Sequence, residues 1–105
     1  MANKVRVLTE TLTGARVLTE AEVKDYSVIA FDPGGAARNV DLPATTNLAG
    51  HSVTIINTAD AAEALTVRLT SGGATVGTID QSENATFICY SSTAGSWVAQ
   101  VGKAT

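Results

Sequence analysis

The chain is poor in the residues that usually carry chemistry. Its 105 residues include one cysteine, one histidine and one tryptophan. A lone Cys89 excludes an intrachain disulfide and fits an ordinary cytosolic folding compartment, here the cytoplasm of a cell. One cysteine and one histidine are too few nitrogen and sulfur ligands for a zinc or iron site. Seven basic residues stand against ten acidic ones, for a net charge of -3, with no run of one sign. Nucleic acid and anionic membrane surfaces both call for a clustered basic face, so no nucleic acid and no membrane is expected as partner. The start "MANKVRVL" has no long apolar stretch and reads as no secretory signal, and no window reaches the length of a transmembrane helix. Large side chains are scarce too, with two Phe and two Tyr beside the Trp. The length predicts one domain with a thin, mainly aliphatic core and a small burial margin, so a partner or a symmetric oligomer is expected to supply part of its stability.

What the chain does have is alternation. In "LTVRLT", Leu65, Val67 and Leu69 share one face and Thr66, Arg68 and Thr70 the other, the pattern of a half-buried strand. "HSVTIIN" alternates in the same way until Ile56 breaks its polar face, "NATFICY" and "SWVAQV" read as two more strands, and "SVIAF" as a short, fully buried one. Turn clusters separate them, among them Gly34-Gly35, "TTNLAG", "DAAEA", Gly72-Gly73, "DQSEN" and "STAGS". Thr19 and Glu22 stand in capping-box spacing, with Leu18 and Val23 placed as a hydrophobic staple, which predicts a helix of a turn or two. "RVLTE" occurs at 6–10 and again at 16–20. Stacked architectures need three or more units, so a strand, a turn at Gly14 and a second strand is the plainer account. The fold class expected is all-β, a single-domain antiparallel β-sandwich of jelly-roll type with eight or nine strands and at most one short helix. Residues 1–15 are expected as an N-terminal strand or arm able to reach a neighbouring subunit, and residues 16–105 as the sandwich.

The candidate sites are few. "FDPGGAARNVDLP" at 31–43 pairs glycines with a proline, but a phosphate loop needs glycines that feed a helix. Here Val40 and Leu42 alternate with Asn39 and Asp41 and no lysine follows, so Pro33 and the glycines predict a β-turn. Ser52 adjoins His51, and neighbouring strand residues point to opposite faces, which argues against a catalytic pair. Cys89 alternates with Phe87 and is expected to be a small buried hydrophobe. Asp80 and Glu83 could contribute to a weak calcium loop, though a solvated turn is favoured. "NAT" at 84–86 matches a glycosylation sequon that goes unmodified without a signal peptide. Trp97 and Tyr90 fall in or beside the last strands, where core packing is expected and a stacking platform for sugar is the sharper alternative. No catalytic, cofactor-binding or metal residue is singled out, and no enzymatic activity is expected.

Three runs carry a resemblance: "LTEAEVKDYSVIAFDPGGAARNVDLPA", "GHSVTIINTADAAEALTV" and "TIDQSENATFICYSSTAGSWVAQV". Together they resemble small β-sandwich modules of tailed bacteriophage virions, in which a turn leads to an "xVxLP" strand, a "G-strand-NTADAAExLTV" segment follows and "W-x-A" closes the chain. The matching positions are Val40 to Pro43, Gly50 to Val67 and Trp97 to Ala99, and the similarity spans residues 18 to 101. The resemblance implies a head decoration (cement) protein made in the bacterial host cytoplasm, a homotrimer on the outer surface of the capsid that binds the major capsid protein through many weak contacts. Related modules occur in tail fibres, so a tail module binding a receptor or carbohydrate is the competing expectation. A chain that starts at Met1 and stops soon after its last strand favours the stand-alone decoration role. Ile56 and Val98, expected to face away from the core, are the surface such an assembly would cover.

Overall fold

The computed structural model describes residues 6–70 and 72–103, the last three as backbone only. The elements run β1 (Val7–Thr11), β2 (Arg16–Val17), α1 (Glu20–Asp25), β3 (Val28–Asp32), β4 (Arg38–Asp41), β5 (Ser52–Asn57), β6 (Leu65–Arg68), β7 (Thr75–Ile79), β8 (Glu83–Cys89) and β9 (Trp97–Lys103). Among the described residues the protein is therefore all-β with one short helix. Its strands lie in two sheets, ordered β1-β3-β5-β8-β9 and β2-β4-β6-β7.

From β1 to β6 the chain places successive strands alternately in the two sheets. Each strand therefore pairs with the one two steps away, and it pairs parallel: β1 with β3, β3 with β5, β2 with β4, and β4 with β6. The result is three stacked coils, each contributing one strand to each sheet. The chain then reverses. Strand β7 runs antiparallel to β6, β8 to β5 and β9 to β8. The expectation of a wholly antiparallel sandwich thus holds for three pairings, and four are parallel. Side-chain alternation is the same in both kinds of strand, so the pattern that located the strands carried no information on their direction. The repeat of the stack is one coil, from Val7 to Val28 to Thr54, more than twice the spacing of the two "RVLTE" copies. Those copies share one coil. The first lies in β1, and the second supplies β2, the buried Leu18 and the helix cap.

Inward-facing residues stack in rows across the coils. Leu8, Ile29, Ile55 and Ala85 form one row in the first sheet, and Val53, Phe87 and Ala99 another. In the second sheet the rows are Arg16, Val40, Val67 and Gly77, and Arg38, Leu65 and Ile79. Phe31 and Phe87 are fully buried, each removing enough apolar area from water to contribute about 2–3 kcal/mol. "SVIAF" is not buried on both faces: in β3 only Ile29 and Phe31 are buried, with partly exposed residues between them. Asn57 follows Phe31 in its row and closes the corner between β5 and β6. Its amide donates to the carbonyls of Glu63 and Ile79 at 2.7 and 2.9 Å, and its oxygen accepts from Ala59 N–H at 2.9 Å. A buried amide satisfied on both ends costs little and fixes the corner.

Helix α1 forms as the capping box predicts. The Thr19 hydroxyl accepts from Glu22 N–H at 3.1 Å, the Glu22 carboxylate accepts from Thr19 N–H at 3.0 Å, and Leu18 and Val23 are both buried. The helix ends at Tyr26, whose backbone is already extended toward β3.

Candidate functional site

Within the 31–43 segment, residues 33–37 form the turn between β3 and β4. Gly34 and Gly35 take positive φ values of 76 and 102°, and Gly34 N–H donates to the Asp32 carboxylate at 2.9 Å. A side chain at Gly34 would place Cβ 2.2 Å from the carbonyl oxygen of Leu12, so the close approach of the first coil requires glycine. Strand β4 follows, with no helix to aim at an anion, as the sequence indicated.

The remaining sequence candidates separate in space. His51 immediately precedes β5, and its imidazole makes no hydrogen bond to a serine or carboxylate among the described residues, while Ser52 is exposed. Cys89 is buried on the same face as Phe87, and its thiol donates to the Ser91 carbonyl at 3.3 Å. Asp80 and Glu83 belong to one tight turn, where the Glu83 carboxylate accepts from Asp80 N–H at 2.9 Å. Trp97 is 7% exposed, with its indole N–H donating to the Pro43 carbonyl at 3.2 Å, so its ring is packing material. Tyr90 is 65% exposed.

Two features escaped the sequence reading. The carboxylates of Asp32, Asp60 and Glu63 lie within 4.8 Å of one another where the loops after β3 and β5 leave the same corner. These are oxygen donors of the kind a calcium or magnesium ion takes, but three side chains fall short of the six or more oxygens such an ion needs. Two of them already accept backbone N–H groups, Asp32 from Gly34 and Glu63 from Gly35 at 3.3 Å. The second feature is a cleft of about 470 Å³ walled by Pro43, Thr45, Leu69, Thr70, Ala94 and Trp97, among others, none of them ionisable. Its walls are tied together by the Thr45 hydroxyl, which donates to the Ser92 and Thr93 carbonyls, and by the Thr70 hydroxyl, which donates to that of Leu42. Both features join residues far apart in the chain, so no local spacing could have shown them.

The largest feature is a surface. The positions of the first sheet that alternate with its core rows are Val7, Thr9 and Thr11 on β1, Val28, Ala30 and Asp32 on β3, and Ser52, Thr54 and Ile56 on β5. Asn84, Thr86 and Ile88 on β8 and Val98 and Gln100 on β9 continue the same face. Asp32, at the end of β3, is the single charged residue among these described positions. Five strands about 4.8 Å apart and about 17 Å long make a face of about 400 Å². Ile56 and Val98 lie on it, as their sequence positions suggested. The outer side of the second sheet differs, since there Asp41 and Arg68 form an ion pair at 2.9 Å. Comparison with protein-family models, curated proteins and solved structures returned no match.

Proposed function

We propose that this chain is a structural protein of a tailed-phage virion, a capsid decoration or cement protein that sits on the outer surface of the head and stabilises the shell. Its partners in this reading are the major capsid protein and further copies of itself in a homotrimer. The observation that carries the proposal is the broad, nearly uncharged outer face of the first sheet, on a molecule whose titratable groups form no catalytic constellation among the described residues. A face of short hydroxyl, amide and aliphatic side chains with one charge at its margin has little charge to desolvate, and its polar groups can hydrogen-bond across a contact. Repeated over a shell, such weak contacts add through multiplicity. What this chain has in common with jelly-roll modules is two packed sheets; its four parallel pairings set it apart from their antiparallel strand order.

A second reading, a tail-fibre or tail-tip module that binds a receptor or carbohydrate, draws on exposed Tyr90, two residues before the cleft-wall residue Ser92. Immunogold electron microscopy of source particles with an antibody to this chain separates the two. Label spread over the head supports decoration and makes capsid stability the next measurement. Label confined to the tail favours the receptor module and directs attention to a glycan array, and particles without label remove both readings.

A further inference from the structure

The first sheet ends in two strands that each have one neighbour among the described residues, β1 on one side and β9 on the other. Natural sheet edges are commonly guarded by proline, by an inward charge, by a bulge or by extreme shortness, because an unguarded edge is a template for another strand. In the second sheet β2 is two residues long and β7 follows an irregular register at Val67 and Arg68. Strands β1 and β9 have five and seven residues, contain no proline, and carry no charged side chain among their described outward positions. The one inward charge described on them, Glu10 of β1, is held by Arg16 at 3.0 Å within the stack. Two of the four exposed large hydrophobic residues, Val7 at 55% and Val98 at 47%, lie on these strands.

The backbone parity of the two edges is complementary. Leu12 N–H donates to the Asp32 carbonyl and the Arg6 carbonyl accepts from Ser27, so even-numbered residues of β1 turn toward β3. Val7, Thr9 and Thr11 therefore direct their N–H and C=O groups to the free edge. On β9, Tyr90 N–H donates to the Ser96 carbonyl, which makes Val98 and Gln100 the residues bonded to β8. Trp97, Ala99 and Val101 then direct theirs outward. A parallel strand bonds the two neighbours of the residue it faces, so Val7 must sit opposite an even-numbered residue of β9. Opposite Val98, Val7 meets the outward groups of Trp97 and Ala99, and Thr9 opposite Gln100 meets those of Ala99 and Val101. This register also places Val7 and Val98 side by side on one face of a continuous sheet.

We propose that copies of this chain associate head to tail, β1 of one copy adding in parallel to β9 of the next with Val7 beside Val98. The proposal rests on the self-association in the reading above and names its contact. A heterologous contact of this kind closes into a ring when its rotation permits, and three such contacts make the homotrimer.

The test uses Val7→Cys and Val98→Cys made separately in the full chain, where the native Cys89 is buried. Adjacent strands bring Cα atoms within disulfide reach. Mild oxidation of the mixed variants is expected to give the 7-to-98 disulfide, while each variant alone stays uncrosslinked. Self-crosslinking of either variant alone, or a mixture that gives nothing, overturns the head-to-tail pairing. Thr9→Pro provides a second measurement, because it removes an outward donor without touching the bonds to β3. Sedimentation of Thr9→Pro is expected to show association weakened about tenfold or more, and unchanged association would overturn the proposal. A wild-type monomer that still binds heads would overturn the pairing and leave decoration standing. A crosslinked ring that ignores heads would do the reverse.

Discussion

The two ends of the stack close by opposite means. At the opening coil, the inward positions that hold Phe31 and Val40 in the second coil hold Glu10 and Arg16. The Arg16 guanidinium lies 5.7 Å from the centre of the Phe31 ring and bonds both Glu10, at 3.0 Å, and Glu22 of α1. At the other end one inward row shrinks instead. The row that begins with Arg16 finishes at Gly77, where a Cβ would lie 3.3 Å from that of Ala99 and 3.4 Å from the Phe87 ring. The antiparallel end is sealed by bringing the sheets together, and the parallel end by a charged lid over an aromatic floor. A stacked core must end somewhere, and a polar last layer keeps it soluble where no further coil follows.

The largest blow to this contrast is Phe31→Ala. It empties a fully buried site and removes the surface on which Arg16 rests, and a loss of about 3–5 kcal/mol is expected. Thermal unfolding would show this as a fall of about 12 °C or more, and a change of only a few degrees would mean that the aromatic floor is not needed. Gly34→Ala comes next, at about 3 kcal/mol, because it combines positive φ with a backbone oxygen that cannot move aside. Gly77→Ala, which meets only side chains, is expected to cost about 1 kcal/mol or less. Equal losses at the two glycines would show that both ends are packed equally tightly.

Much of this was legible locally and little of it globally. The capping box at Thr19 and Glu22, the turn at Gly34, the inward Cys89 and the outward Ile56 and Val98 all follow from the chemistry of neighbouring residues. The parallel coils do not, because a strand's period is blind to its partner's direction. Nothing in the spacing of Glu10 and Arg16 marks them, and only the register that sets them beside Phe31 and Val40 reveals a lid. The corner that gathers Asp32, Asp60 and Glu63 was hidden for the same reason.

Arg16→Met tests the lid itself. It keeps much of the side-chain volume over Phe31 but leaves Glu10 and Glu22 without their shared cation, and at neutral pH a loss of about 1–2 kcal/mol is expected, since the cluster is partly exposed. Restoration by Arg16→Lys should be incomplete, because an ammonium cannot offer both carboxylates the guanidinium fork.

The smallest effect is the pH dependence of that lid. The hydrogen bond from Arg16 holds the Glu22 carboxyl below the usual range, against a smaller opposing push from burial. Arg16 itself is raised and stays charged throughout. A carboxyl whose folded pKa lies below its unfolded value stabilises the protein fully at pH above the unfolded value, about 4.3 for glutamate. That contribution is lost as pH falls through the folded pKa. Melting temperatures of wild type and Arg16→Met, taken from pH 7 to pH 3, are therefore expected to converge in acid, by less than about 1 kcal/mol. The wild type loses there the Arg16–Glu22 bond that the variant never had. High salt should narrow the gap at pH 7 only in part, because the side chains of Arg16 and Glu22 are about four-fifths shielded from solvent. Parallel curves at every pH would show that Arg16 closes the stack by its bulk and not by its charge.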